Sequence, residues 1–257
     1  MQASAVTRSA IRGVFMVTAK NMKMYSRKPP VIIFGLLFPA FMFMSFYFGR
    51  KVDLTVFFPG FAGMTLFFLC SSIGPLITPW ERTAKTYERL LSFPISFRTI
   101  IWGDILTGTI YGLLLSSVVL VPGLLLLKYS IAPLRFAAAL LPGALCFSSL
   151  GTLLSSPNMP NPSHTMMISS LVRFPLIFVS GIFVPLNRLT GAARTISFFS
   201  PITYTVDLLH HGLGGVGSVG SMAQISFIID LSAVFGFSIL FIFFASWLHK
   251  KNMLRGF

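Results

Sequence analysis

The sequence has few charged residues, and most of them carry the same sign. Only 10% of the 257 residues are charged, with six Asp and Glu against 20 Lys and Arg, while 54% are hydrophobic. A mean hydropathy of +0.82 excludes an ordinary water-soluble enzyme. The basic residues lie in short clusters between long uncharged runs, which indicates an anionic membrane surface and not nucleic acid as the partner.

Two other features are scarce or missing. The two cysteines, Cys70 and Cys146, lie inside apolar runs without any ligand spacing, which excludes a disulfide framework and a cysteine metal site. The pattern Gly-x-x-x-x-Gly-Lys-Ser/Thr does not occur, so this chain has no P-loop for ATP.

Long apolar segments predict the fold. A helix that crosses a bilayer needs about 20 mostly apolar residues. Six segments meet this requirement, at residues 31–48, 54–79, 99–127, 136–154, 166–185 and 224–248. We therefore expect an all-α integral membrane protein with a single transmembrane domain over residues 1–257 and six membrane-spanning helices.

The distribution of Lys and Arg predicts the orientation. Thirteen of them lie before the first span, between the second and third spans, or after the last span, whereas six lie in the opposite set of connections. Positive connections remain on the cytoplasmic side. We expect a multi-pass protein of the cell membrane with both termini in the cytoplasm.

The N-terminal residues 1–30 have the pattern of an amphipathic helix. At 100° per residue, apolar side chains such as Ile11, Val14 and Val17 share one arc, and Arg8, Arg12 and Lys23 share the opposite arc. A basic amphipathic helix is typical of the inner membrane interface, and the alternative is a helix packed on a soluble partner.

Residues 81–98 predict a cytoplasmic element between the second and third spans. This element has both signs of charge, exposes Leu90 and Leu91, and is expected to end as a helix near Pro94. Such an element is typical of a docking site for a soluble protein, while a solvated loop that only fixes topology is the alternative.

The external connection, residues 186–223, is unusually apolar. Ser200-Pro201 predicts a helix start, and several glycines follow residue 211. We expect one or two short helices that dip back into the outer leaflet, with a plain surface loop as the alternative.

Three charged residues inside the predicted spans need partners, because each costs about 2.5 to 3.5 kcal/mol to insert. Asp104 and Arg173 lie at similar depths from the cytoplasmic side and are predicted to form an intramembrane ion pair, whereas Asp230 lies near the outer side. His210 and His211 are adjacent, so they diverge on a helix and do not predict a metal site.

Three motifs carry a resemblance to a known family. They are Tyr-Glu-Arg-Leu-Leu-Ser-Phe-Pro-Ile-Ser at 87–96, Ser-Gly-Ile-Phe-Val-Pro-Leu at 180–186 and Phe-Ser-Pro-Ile-Thr-Tyr-Thr-Val-Asp-Leu-Leu at 199–209. With the order of spans, they resemble the permease subunit of type-2 ATP-binding-cassette exporters over nearly the whole chain.

The resemblance implies a function. Residues 81–98 would be the coupling helix, which contacts a cytoplasmic ATPase through Glu81, Arg82, Tyr87, Glu88, Arg89, Leu90 and Leu91. Residues 1–30 would be the connecting helix, and residues 186–223 would form outer re-entrant helices. The outer gate residues would be Pro185, directly before this segment, and Pro201, Tyr204 and Asp207 within it. Two ATPase subunits would bind ATP and Mg, and this chain itself would bind no cofactor. In the lipid membrane, the chain would associate with a second copy of itself or with a related permease.

Two other functions fit the residues alone. An ion-coupled secondary transporter would use Asp104 or Asp230 as a proton or cation site. An intramembrane enzyme acting on lipid would use His210, His211 and Asp207 near the outer surface.

Overall fold

The computed structural model describes residues 2–25, 54–91, 96–159, 161–182, 191–214 and 223–254, together with isolated positions between 33 and 48. Within these residues the chain is helical apart from one pair of two-residue strands. The elements are α1 (Gln2–Tyr25), α2 (Leu54–Thr83), α3 (Thr86–Leu91), α4 (Phe97–Leu126), β1 (Ser130–Ile131), α5 (Pro133–Leu154), α6 (Pro162–Val179), α7 (Ala192–Ser197), α8 (Pro201–Gly212), β2 (Leu213–Gly214) and α9 (Phe227–Leu254).

The structure agrees with the predicted class of all-helical membrane protein. Four of the described helices are long and apolar enough to cross a bilayer, over Phe57–Thr83, Phe97–Leu126, Pro133–Leu154 and Phe227–Asn252. They match the second, third, fourth and sixth predicted spans. α6 lies where the fifth was predicted, and the first, 31–48, lies almost wholly outside the described residues.

The boundaries of the helices follow local chemistry. Ser96 caps α4 by accepting a hydrogen bond from the backbone N–H of Thr99. Pro133, Pro162 and Pro201 occupy the first turns of α5, α6 and α8, where a missing N–H is harmless. The predicted helix start at Ser200-Pro201 is therefore confirmed.

The end of α2 differs from the predicted boundary. The helix continues through Pro75 and Pro79 to Thr83, so Glu81 and Arg82 form its last turn and not the start of a separate helix. Lys85, whose φ of 55° lies in the left-handed region, then separates α2 from the six-residue α3. The prolines do not end α2 because membrane helices tolerate proline where neighbouring groups satisfy the freed carbonyls.

α2 is the central helix of the bundle. Every residue from 58 to 79 is buried, and α4, α5, α6 and α8 pack around it. α2 meets α5 backbone to backbone, since a Cβ added at Gly74 would lie 2.4 Å from the backbone carbon of Gly151. A Cβ added at Gly151 would lie 2.5 Å from the carbonyl oxygen of Ser71. These two glycines therefore bring the backbones of α2 and α5 into direct contact.

The outer helices expose apolar surface. Leu114, Val118 and Leu125 on α4 are more than half exposed, and so are Ile239 and Phe243 on α9. Continuous apolar faces of this kind are unfavourable in water and are typical of contact with lipid or another membrane subunit.

α1 packs across the start of α4. Val17, Thr18 and Asn21 are buried there, and a Cβ added at Gly103 would lie 2.5 Å from the side chain of Val17. Ile11 and Phe15 remain 53% and 59% exposed. The predicted apolar arc is thus divided, with one part packed on α4 and the other exposed beside it.

The bundle has two ends, the Glu81 end and the Asp207 end. The Glu81 end contains the last turns of α2, α5 and α9 and the first turns of α4. The Asp207 end contains α8, the first turns of α5 and α9, and the strand pair, in which Ser130 lies opposite Gly214 and Ile131 opposite Leu213. The strand pair joins the α4–α5 connection to the end of α8.

We predict that Gly151→Ala lowers the free energy of unfolding by about 1 to 3 kcal/mol, because the added methyl group meets the α2 backbone, which cannot rotate away. Thermal unfolding of the purified protein in detergent measures the effect. Gly236→Ala on α9 is the matched control, since its Cβ would have no neighbour within 4 Å. An equal loss in both variants would contradict close α2–α5 packing as the cause.

Candidate functional site

The residues predicted to contact an ATPase lie at the Glu81 end, on two helices. Glu81 and Arg82 belong to the last turn of α2, and residues 87–91 belong to α3. Arg89 is exposed and Leu90 is half-buried, whereas the side chains of Tyr87, Glu88 and Leu91 lie outside the described residues. The predicted set is therefore divided between a buried turn of the bundle and a short external helix.

Glu81 forms an ion pair with Lys20 of α1. The Glu81 side chain is 2% exposed and the Lys20 side chain is 29% exposed, so the carboxylate depends on this partner more than the ammonium group does. Sequence reasoning placed Lys20 only on the basic face of α1. No local signal links two residues that are 61 positions apart.

Arg82 connects α2 to two other parts of the chain. Its Nη1 donates to the carbonyl oxygen of Pro157 at 3.2 Å, and its Nη2 lies 3.4 Å from Nδ1 of His249. His249 is buried, and its Nε2 lies 3.0 Å from the carbonyl oxygen of Thr152. Because an arginine only donates and a carbonyl only accepts, these contacts fit a neutral imidazole with its proton on Nε2.

The polar contacts continue from His249 into the bundle. The Ser155 hydroxyl donates to the carbonyl oxygen of Thr152 at 2.7 Å, and its oxygen lies 3.3 Å from Nε2 of His249 and 3.4 Å from the hydroxyl oxygen of Thr78. Thr78 in turn reaches Asp104 at 3.5 Å. The Glu81 end thus contains one chain of polar side chains from α1, α2, α4, α5 and α9. Sequence reasoning missed His249, because a single histidine before Lys250 does not distinguish a buried partner from an exposed one.

The predicted ion pair between Asp104 and Arg173 is not formed within the described residues. Asp104 accepts a hydrogen bond from the Asn21 side chain at 2.8 Å, whereas Arg173 donates to Ser72 at 2.7 Å and lies over the ring of Phe68. Their contacts on α2, at Thr78 and Ser72, are six residues apart, or about 9 Å along the helix. The prediction was wrong because depth in the membrane was inferred without knowledge of which faces meet.

The predicted gate residues on α8 lie at the Asp207 end, and Pro185 lies outside the described residues. Pro201 begins α8, and the hydroxyl of Tyr204 donates to the carbonyl oxygen of Phe198 at 3.0 Å. Asp207 is 2% exposed and accepts hydrogen bonds from the backbone N–H groups of Gln224 and Ile225. Asp207 therefore holds the connection before α9 against α8.

The two adjacent histidines of α8 have different environments. Burial lowers the pKa of His210 to about 4, although the nearby Asp207 opposes this shift, so His210 is neutral at physiological pH. Nε2 of His211 lies 2.8 Å from the carbonyl oxygen of Ile225, in the connection before α9.

One group of side chains in the described residues has the composition of a metal site. Asp207, His211 and Asp230 each offer one atom that could bind a metal, and these three atoms lie within 4.8 Å of one another. For a metal site, the sequence analysis considered only the adjacent His210 and His211 and therefore missed this group. The available signal was the spacing of Asp207 and His211, four residues apart on one helical face, but Asp230 comes from another helix.

We predict strong coupling between Lys20 and Glu81 and almost none between Asp104 and Arg173. In double-mutant cycles, Lys20→Met with Glu81→Gln should give a coupling free energy of about 1 to 3 kcal/mol, and Asp104→Asn with Arg173→Met less than about 0.5 kcal/mol. Lys20→Met should be the more harmful change of its pair, because it leaves a buried carboxylate unpaired. Thermal unfolding in detergent measures these values, and the reverse order of the two coupling energies would contradict the contacts above.

The sequence matches one family model over most of its length. The model describes the ABC-2 type transporter and covers residues 12–213, which is more than three-quarters of the chain. Comparison with curated proteins gives no match. The matched region includes α2 through α8, and thus Glu81 and the residues of α8 at the Asp207 end, while α9 follows it in the chain.

The match agrees with the long apolar helices and with the exposed apolar faces of α4 and α9, which are typical of contact with lipid. The chain is a multi-pass membrane protein and a transport permease, and this family does not favour the ion-coupled secondary transporter. The resemblance read from the three sequence motifs is confirmed: the chain belongs to the ABC-2 type transporter family.

Proposed function

We propose that this chain is the membrane-spanning subunit of an ATP-driven exporter. Two copies, or this chain and a related permease, form the substrate pathway between them, and two cytoplasmic ATP-binding-cassette ATPase subunits bind and hydrolyse ATP with Mg. Membership of the ABC-2 type transporter family and the absence of a P-loop from the sequence support this division of labour.

One observation carries the proposal. The last turn of α2, directly before α3, is joined to α1 through Lys20, to the α5–α6 connection through Pro157 and to α9 through His249. A force applied to residues 81–98 is therefore transmitted to several helices at once, because these contacts are buried or half-buried and α2 is central. This is the property that a coupling helix requires.

The charge distribution supports cytoplasmic termini and a cytoplasmic Glu81 end. Lys and Arg side chains are concentrated at this end, whereas the described ones near the Asp207 end are Lys128, Arg135 and Arg194. Positive residues remain on the cytoplasmic side of a membrane. The proposed topology has six membrane spans, in which residues 31–48 form the first span and α6 forms the fifth.

The outer gate is assigned to residues 186–223. α8 has 12 residues and is about 18 Å long, which is too short to cross a hydrocarbon core of about 30 Å. Most of its side chains are nevertheless buried against α2, α5 and α9. A short helix covered by protein on these sides is suited to re-entering the outer leaflet and closing the pathway.

We predict that Leu91→Asp and Glu88→Lys each reduce co-purification of the ATPase by about tenfold or more, because a few central residues contribute most of the affinity of an interface. The permease and its cassette ATPase are co-expressed, extracted in detergent and captured through a tag on the permease. The amount of ATPase per permease and its ATP hydrolysis rate are then measured.

Lys128→Glu is the matched control, since Lys128 is an exposed cation at the opposite end of the bundle. This variant should retain the ATPase fully. Loss of the ATPase in the control alone, or transport by the purified chain without any ATPase, would contradict the proposed coupling helix.

A further inference from the structure

Asp207, His211 and Asp230 form a cluster that joins α8 to α9. Asp207 and His211 lie four residues apart and therefore on one face of α8, while Asp230 lies in the first turn of α9. Nε2 of His211 is 3.8 Å from Oδ2 of Asp230. Asp207 and Asp230 are 2% and 0% exposed, whereas His211 is partly exposed.

Asp230 is the unusual member of the cluster. Neither of its carboxylate oxygens has a hydrogen-bond partner among the described residues, although both are buried. Asp207 differs, because two backbone N–H groups donate to its carboxylate. A buried carboxylate without donors is strongly unfavourable as an anion, so Asp230 either shares a proton with Asp207 or requires a positive charge close by.

The nearby protein groups do not supply that charge. Among the described residues no Lys or Arg lies within ion-pair distance of Asp207 or Asp230. The Nε2 proton of His211 is directed to the carbonyl oxygen of Ile225, since a carbonyl can only accept. The partial positive charge at the start of α9 is about half a unit, which is too small to balance two carboxylates.

We propose that Asp207, His211 and Asp230 bind a divalent transition-metal ion, with Zn²⁺ as the best fit. Two carboxylates and one imidazole are ligands that Zn²⁺ accepts, and two units of positive charge neutralise both aspartates. To bind the metal through Nε2, His211 takes the neutral tautomer with its proton on Nδ1 and gives up its hydrogen bond to Ile225. Its partly exposed ring provides the route of entry.

The cluster needs only a small contraction to bind the ion. Tetrahedral ligands at about 2.0 to 2.2 Å from Zn²⁺ lie about 3.4 Å apart, compared with up to 4.8 Å here. The bound ion fixes α8 to the first turn of α9, next to the connection that Asp207 already holds. Its role is a structural clamp at the Asp207 end, and it is independent of the proposed ATP-driven function.

The test measures metal content and thermal stability of the full-length permease. The protein is purified in detergent through a tag without histidine, stripped with EDTA, incubated with Zn²⁺ and desalted. We expect about one Zn²⁺ per chain by mass spectrometry of the metal, and a rise in Tm of about 5 °C or more on adding Zn²⁺. Mg²⁺ should give no comparable rise, because it does not favour imidazole.

The variants separate a metal site from a purely structural role. Asp230→Asn and His211→Gln should each lose most of the bound Zn²⁺ and the Zn²⁺-dependent rise in Tm. Asp230→Asn should be as stable as the wild type or more stable in EDTA, because the change removes an uncompensated buried charge. A variant that is destabilised in EDTA and still binds one Zn²⁺ would overturn the proposal.

His210→Gln is the matched control, since it changes the neighbouring histidine but none of the three ligands. It should bind Zn²⁺ like the wild type. Equal Zn²⁺ binding by the wild type, Asp230→Asn and His211→Gln, or no binding by the wild type, would overturn the proposal without affecting the assignment of the chain as a permease.

Discussion

The contact between α2 and α5 is the constraint on which the rest of the structure depends. Gly74 and Gly151 allow the two backbones to touch, and this contact places α2 at the centre of the bundle with residues 58–79 buried. A central helix cannot move without its neighbours, because packed helices resist continuous deformation. Both ends of α2 are therefore mechanically connected to the surrounding helices.

The two ends of the bundle differ in how their charges are compensated. At the Glu81 end, the buried carboxylate of Glu81 is paired with Lys20, and Asp104 accepts a hydrogen bond from Asn21. At the Asp207 end, Asp230 has no donor within the described residues and its nearest charged neighbour is another carboxylate. At the Glu81 end both carboxylates have protein partners, whereas at the Asp207 end we propose that a bound cation compensates the two aspartates. This difference is the physical basis for assigning energy coupling to one end and ion binding to the other.

The connections at the Glu81 end also support the proposal that residues 81–98 act on the membrane domain as a coupling helix. α3 has only six residues and follows the last turn of α2 after Ala84 and Lys85, so its proposed action on the bundle passes through that turn. Arg82 and Glu81 extend this turn to α1, to the α5–α6 connection and to α9. An ATPase that displaces residues 81–98 would therefore move α2 together with these parts, in agreement with the rigid-body motions of other transporters.

The sequence alone determined the class of protein and much of the architecture. Apolar runs of about 20 residues can be satisfied in a membrane only as helices, so the positions of α2, α4, α5 and α9 followed from composition and length. Local signals also located the start of α8, because Ser200-Pro201 acts within one turn. Tertiary structure decided which charged residues meet. Arg173 contacts Ser72 and not Asp104, Lys20 contacts Glu81, and Asp230 meets Asp207, because helix rotation and crossing depend on packing between distant segments and not on local sequence.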